Sequence, residues 1–232
     1  MHIAVIPARG ASKRIGNKNI RLFFGKPIIA YSIEACLGAG RFDAVVASTD
    51  SEEIAAVARA FGAEVPFLRP GQLADDHTPV RFALEHARQW FIENRGAVAS
   101  TTCVLATAPL LAAARLRTYY DDWQRSGMAR GFTVCKFPYP PQRGFELHGA
   151  VKEVRPFMPQ FLASRSQDLP ELYHDAGLAY FRRYDRGEDP TAPFIAPGSY
   201  PIVVDQTECW DIDTEDDWRM AEALFRGSRA GT

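Results

Sequence analysis

Two hydrophobic periods alternate along this chain, and that alternation restricts its fold more than any other feature. Ile3-Ala4-Val5-Ile6, Ala44-Val45-Val46-Ala47, Thr102-Cys103-Val104-Leu105 and Phe132-Thr133-Val134-Cys135 are short, nearly unbroken apolar runs. Runs of that kind suit parallel strands buried on both faces. Between them, Ile29, Ile33, Cys36 and Leu37 recur at helical spacing, as do Ile54, Val57, Ala58 and Phe61. Val80, Ala83, Leu84, Ala87 and Phe91 form a third such face, and Leu116, Tyr119, Tyr120 and Trp123 a fourth. Asp50-x-x-Glu53 predicts a cap for the second helix, and Thr78 followed by Pro79 predicts the start of the third. Strand and helix in strict succession imply an α/β fold with a doubly wound, mostly parallel sheet.

The alternation breaks at residues 137–160, where Pro138, Pro140, Pro141, Pro156 and Pro159 exclude a long helix or a central strand. The segment is expected to leave the sheet as extended ribbons that pair with a second subunit. Strand–helix order then returns with Pro201-Ile202-Val203-Val204 and a helix capped by Thr214-x-x-Asp217, carrying Trp218, Ala221, Leu224 and Phe225. Residues 227–232 are expected to form a flexible tail. A chain of 232 residues buries about 70% of its unfolded surface, so residues 1–232 are predicted to be a single domain with an excursion.

With 27 Lys and Arg against 28 Asp and Glu, the formal charge is −1. That balance argues against a nucleic-acid partner. No apolar run approaches the ~18 residues of a membrane span, and Ile3–Ile6 is too short for a signal-peptide core. Cys36, Cys103, Cys135 and Cys209 are scattered without a paired spacing and are expected to be reduced, buried thiols. A cytoplasmic protein is the expectation.

The loop after the first strand concentrates chemistry. Residues 6–19 hold Arg9, Lys13, Arg14 and Lys18 together with Gly10 and Gly16. In a doubly wound sheet, ligands bind beyond the carboxyl ends of strands, where this loop begins. Cations beside glycines suit a polyphosphate held by backbone N–H groups and charge-assisted hydrogen bonds. It is not a Walker A loop, since Asn17 follows Gly16 and Asn19 stands where a hydroxyl is needed, nor does it contain GxGxxG. Far along the chain, Asp211-Ile212-Asp213 places two carboxylates on one side of an extended segment. Such a pair can hold magnesium alongside substrate phosphates, or simply enrich a helix start in negative charge.

Ile6-Pro7-Ala8-Arg9-Gly10, Ser12-Lys13-Arg14, Lys18-Asn19 and Gly25-Lys26-Pro27 resemble the opening of the nonulosonate cytidylyltransferases, the CMP-sialic acid synthetase family. The resemblance continues through Ser48-Thr49-Asp50, Ala63-Glu64-Val65-Pro66-Phe67, Arg69-Pro70 and Leu73-Ala74-Asp75-Asp76 to Asp211-Ile212-Asp213-Thr214. Asp76-His77-Thr78, Ala106-Thr107-Ala108-Pro109 and Tyr173-His174-Asp175-Ala176-Gly177 look like the pseudaminic acid branch. Leu105 stands where sialate-specific members carry Gln, which points away from N-acetylneuraminate.

The resemblance implies transfer of CMP from CTP to a nine-carbon 2-keto sugar acid, with pyrophosphate released, Mg2+ as cofactor and a homodimer. Another sugar acid (legionaminic, N-acetylneuraminic or 3-deoxy-octulosonic) or an inactive nucleotide-binding protein are the alternatives. By the same likeness Arg9, Ser12, Lys13 and Lys18 would hold the triphosphate, and Asn19, Arg69 and Thr78 the cytosine side, with the backbone of Ala8 beside them. Asp211 and Asp213 would bind the metal. Arg165, Ser166, Gln167, Tyr173, His174, Asp175 and Tyr180 would meet the sugar. Arg9, Lys18, Asp211 and Asp213 are the expected catalytic set.

Overall fold

Strand β1 (His2–Pro7) shows why the chain folds as layers. Its alternate residues enter different cores: Ala4 and Ile6 join one, Ile3 and Val5 the other. A strand buried on both sides in this way needs helices on both sides. The computed structural model describes residues 1–10, 14–75, 78–150 and 152–230. Strands β2 (Leu22–Phe23) and β3 (Lys26–Pro27) form a small antiparallel pair that leads into helix α1 (Ile28–Ala39). Next come β4 (Ala44–Ser48), α2 (Glu52–Ala60), α3 (Val80–Arg95), β5 (Ser100–Val104), α4 (Ala113–Ser126) and β6 (Arg130–Lys136). The excursion holds β7 (Phe145–His148) and β8 (Glu153–Pro156), after which β9 (Tyr173–Arg183), β10 (Ser199–Val204) and α5 (Glu215–Ala230) complete the fold.

The six-stranded sheet runs β10-β6-β9-β5-β1-β4. β4, β1 and β5 are mutually parallel, and β10 is parallel to β6. β9 lies antiparallel between β5 and β6. The sheet is therefore mostly parallel, as the sequence predicts, with one reversed strand that the sequence does not predict. β9 escapes the periodic signal because Gly177 adopts a left-handed φ of +63° within it, and the register with β6 shifts between Phe132 and Val134. A glycine-centred irregularity of this type re-aims the residues around it.

Ile29, Ile33, Leu116 and Trp123 pack on one face of the sheet, and Leu84, Ala87 and Phe91 on the other. A third cluster joins distant segments: Ile15, Phe23, Ile28 and Tyr31 meet Ile212, Trp218, Ala221 and Phe225. Burying side chains such as Trp218 and Phe225 contributes roughly 1.5–3 kcal/mol each, so α5 is held firmly across the first-strand loop.

Three expectations are corrected. The α2 cap is Ser51, whose hydroxyl accepts the Ile54 N–H at 3.4 Å, and not Asp50. α3 begins at Val80 with Pro79 at its cap and takes no side-chain cap from Thr78. α5 continues through residues 227–230, where a tail is predicted; residues 231 and 232 lie outside the described set. The capping box at Thr214 does form: Asp217 N–H donates to the Thr214 hydroxyl at 3.2 Å, and Thr214 N–H donates to the Asp217 carboxylate at 2.8 Å. Residues 137–160 do leave the sheet, and β7 and β8 pair as an antiparallel hairpin. All four cysteines are free and buried. Among the described residues no helix is long and apolar enough to cross a membrane.

Candidate active site

The parallel strands all end on one side, and a cleft of about 610 Å³ opens there. Pro7, Arg9, Arg14, Lys18 and Asn19 line it from the first-strand loop, Arg69 and Asp75 from the segment after α2, and Asp211 and Asp213 from the approach to α5. This is the place at which doubly wound sheets take ligands.

The first-strand loop is built by hydrogen bonds to the end of β4. Ala8 N–H donates to the Ser48 carbonyl at 2.9 Å. Gly10 N–H donates to Asp50 Oδ1 at 2.8 Å. Gly10 packs closely on the start of α2: a Cβ there would lie 3.1 Å from Ser51 Cβ, so a side chain would need that contact to give by a few tenths of an ångström. Gly16 has open space around it. Asn19 is buried, and its amide nitrogen donates to the Arg9 carbonyl at 2.9 Å, folding the loop back on itself. The Arg9 guanidinium donates to the Asp75 carbonyl at 3.3 Å.

The acidic pair faces this loop. Ile212 is fully buried in the third core, so its neighbours Asp211 and Asp213 point the other way, into the cleft. Asp217 fixes the backbone, accepting the Asp213 N–H at 3.2 Å. Lys18 Nζ donates to the Ile212 carbonyl at 2.6 Å and lies 3.4 Å from Asp213 Oδ1, while Arg14 reaches the other oxygen at 3.0 Å. Confinement in the cleft raises the Asp211 carboxyl above its usual pKa and Asp213 raises it further, with Lys18 opposing. Two repelling carboxylates beside a polyphosphate-sized cleft suit a hard divalent cation that keeps most of its ligands from water and phosphate. Among the described residues no cluster of three or more His, Cys, Asp or Glu side chains could hold a metal.

Arg69 is 6% exposed, and its Nε has no hydrogen-bond partner among the described residues. Burial lowers its pKa, Asp50 opposes that shift, and Arg9 adds to it. Thr78 borders the cleft, its hydroxyl donating to the Gln72 carbonyl at 3.1 Å and its N–H to Asp75 Oδ1 at 2.6 Å.

Arg9, Lys18, Asn19, Arg69, Thr78, Asp211 and Asp213 thus share one cleft; Ala8, between the lining residues Pro7 and Arg9, is buried in the core and does not line it. Ser12, Lys13 and His77 lie outside the described residues. Asp175 and Tyr180 form a neighbouring pair: the Tyr180 hydroxyl donates to Asp175 Oδ2 at 2.7 Å, and Gly177 N–H to Oδ1 at 3.0 Å. A Cβ on Gly177 would lie 3.7 Å from the Asp211 side chain, so this turn abuts the acidic pair. Burial, then Asp175, pushes the Tyr180 hydroxyl pKa up.

The remaining sugar candidates do not line the cleft. Arg165 pairs with Asp168 at 2.8 Å, Ser166 accepts from Arg143 at 3.1 Å, and Ser166 and Gln167 border a second hollow with Pro138, Pro140 and Pro141. Tyr173 donates to Glu171 at 3.1 Å, and the His174 ring packs edge-on to Phe137. Composition and spacing do not mark Asp75, which lines the cleft, or Asp50, which holds Gly10 beside it, because Asp50 reads as a helix cap and Asp75 lies in a segment without periodic signal.

A sequence model of the family described as "Cytidylyltransferase" matches residues 3–127. The pseudaminic acid cytidylyltransferase of Campylobacter jejuni subsp. jejuni serotype O:23/36 is 39% identical over 97% of this chain and 96% of that protein. The CMP-N,N'-diacetyllegionaminic acid synthase of Legionella pneumophila is 30% identical over 96% of this chain and 95% of that one. The solved structure of a CMP:2-keto-3-deoxy-manno-octonic acid synthetase complexed with CTP superposes with a TM-score of 0.68 at 15% identity, covering 98% of this chain and 99% of its own, which shows a common fold. A basic first-strand loop, an acidic pair opposite it and full-length likeness to such enzymes lead to one conclusion: this chain belongs to the cytidylyltransferase family.

Proposed function

We propose that the protein transfers the cytidylyl group of CTP to the anomeric hydroxyl of pseudaminic acid and releases pyrophosphate. The observation that carries this is the convergence of Arg9, Lys18, Arg69, Asp211 and Asp213 on one cleft. The higher, full-length identity to a pseudaminic acid enzyme than to a legionaminic acid one supports the choice of sugar. In the reaction the anomeric oxygen forms a bond to the α-phosphorus, the bond from that phosphorus to the α–β bridging oxygen breaks, and the hydroxyl proton leaves to solvent or to a neighbouring ionised carboxylate.

Such a transfer depends mainly on positioning and charge neutralisation. Arg9 and Lys18 offset the charge growing on the departing pyrophosphate, with Ser12 and Lys13 as further triphosphate ligands. Asn19 commits its amide nitrogen to the Arg9 carbonyl, which leaves its amide oxygen as an acceptor for the 4-amino group of cytosine, with Arg69, Thr78 and the Ala8 backbone beside it. A uracil carbonyl in that position would face an acceptor, so CTP is preferred over UTP. Asp211 and Asp213 would hold Mg2+, which when bound neutralises phosphate charge and eases deprotonation of the attacking hydroxyl. The sugar falls to Asp175 and Tyr180 near Asp211, and to Arg165, Ser166, Gln167, Tyr173 and His174 further out.

A homodimer formed through the β7–β8 hairpin is part of the same reading. Leu147 pairs with Val154 and Phe145 with Pro156, which puts four apolar side chains on one face, while Glu146, His148, Glu153 and Arg155 occupy the other. Phe145, Leu147 and Val154 are each more than half exposed, as expected of a surface that a second copy covers.

The test is a panel of nonulosonic acids incubated with CTP and magnesium and followed by pyrophosphate release. Turnover highest with pseudaminic acid is the expected result. Preference for legionaminic or N-acetylneuraminic acid would replace the sugar assignment, and no release with any of them would end the transferase reading.

A further inference from the structure

Asp50 stands at the corner where β4 ends, and with Ser51 serving as the α2 cap its carboxylate is committed elsewhere. It accepts the Gly10 N–H at 2.8 Å. Since Ala8 is bonded to Ser48 at 2.9 Å, Arg9 is pinned to the β4 end on both sides. The approach is close, since a Cβ on Gly10 would lie 3.1 Å from Ser51 Cβ. Arg69 is tied to the same corner, its N–H donating to the Thr49 carbonyl at 2.7 Å. Two guanidinium groups are therefore brought to one cleft by three consecutive residues, Ser48, Thr49 and Asp50.

Holding Arg9 and Arg69 near each other before a polyanion arrives costs Coulombic repulsion, which a nearby carboxylate offsets. Fixing them in advance also spares the ordering cost that binding would otherwise carry. We infer that Asp50 is a positioning residue for the nucleotide: its carboxylate locks the Gly10 end of the first-strand loop to β4 and balances Arg9 and Arg69 so that both face one ligand. This rests on the cytidylyltransferase reading and adds to it a residue that touches neither substrate.

Two variants divide the role. Asp50→Ala removes both the acceptor and the charge, whereas Asp50→Asn keeps an acceptor for Gly10 N–H. CTP binding to the full chain is measured by calorimetry, and steady-state pyrophosphate release by varying CTP and sugar acid separately. Asp50→Ala is expected to weaken CTP binding and raise its KM on the order of tenfold to a hundredfold, with the KM for the sugar acid unchanged. Asp50→Asn is expected to lie between it and the parent.

Wild-type CTP affinity in Asp50→Ala overturns the inference, and continued turnover by the parent then leaves the transferase reading intact. Loss of thermal stability and turnover without a change in the KM for CTP, and without recovery in the Asn variant, also overturns it. If Asp50→Ala does not fold, Gly10→Ala crowds the same loop against Ser51, with a Cβ 3.1 Å from Ser51 Cβ, and is expected to weaken CTP selectively; unchanged affinity there and in Asp50→Asn overturns the inference. A parent protein that neither binds CTP nor releases pyrophosphate removes the reading on which it rests.

Discussion

The Lys18 ammonium lies 3.4 Å from the Asp213 carboxylate, joining residues 195 positions apart in the chain. Its second bond, to the Ile212 carbonyl at 2.6 Å, holds the ammonium between the first-strand loop and the acidic pair. The Lys18 side chain is 19% exposed, while that of Arg14, on the other oxygen of Asp213, is 65% exposed. Shielding makes the two contacts unequal, since a solvated ion pair contributes about 0–1 kcal/mol.

Lys18→Ala and Arg14→Ala should therefore differ. Loss of a charge-assisted phosphate contact costs about 1.5–3 kcal/mol, so Lys18→Ala should lower kcat/KM for CTP by roughly tenfold to a hundredfold. Arg14→Ala should cost about fivefold or less. Equal effects in a pyrophosphate-release assay would count against the distinction.

Asp211 should show a pH-dependent effect on stability. Its folded carboxyl pKa lies above the ordinary value because of its confinement and of Asp213, so folding favours the protonated form. The ionised side chain thus penalises the fold above that raised pKa, and the penalty vanishes below the ordinary carboxylate value. Without metal or nucleotide, Asp211→Asn should raise Tm near neutral pH, with a gain that shrinks as the solution is acidified. Its turnover should fall and its magnesium requirement rise. A Tm below that of the parent at neutral pH would contradict the sign.

Gly131→Ala tests the packing of the far face. The new Cβ would lie 2.6 Å from Trp123 Cδ1, and Trp123 is fully buried and stacked on Phe181. Overpacking of that kind costs typically 1–3 kcal/mol, read as a lower midpoint in chemical denaturation. A midpoint equal to that of the parent would show that the indole can yield.

The hairpin makes the assembly testable. Light scattering should give twice the 25.8 kDa chain mass for the parent. Leu147→Asp with Val154→Lys, placed on the apolar face of a two-stranded ribbon, should give one chain mass with α/β circular dichroism unchanged. A parent that runs as a monomer would leave that face to some other cover.

Much of the molecule is written in local sequence. The apolar runs of β1, β4, β5, β6 and β10 and the helical faces of α1 to α4 follow from side-chain periodicity, a property of a few consecutive residues. The cations and glycines of residues 9–18 make that loop a candidate for an anionic ligand through composition alone. β9 is not announced in this way, because Gly177 and the polar residues beside it interrupt the two-residue period. Nor is the role of Asp50, for a carboxylate before α2 looks like a helix cap until Ser51 is seen to provide it.

Local periodicity accounts for most of the strands and helices, and local composition for a loop rich in cations after β1. Tertiary structure alone decided that Asp211 and Asp213 meet that loop. Their placement follows from Ile212 packing with Ile15, Phe23 and Trp218, a burial energy that exists only once segments about two hundred residues apart have come together.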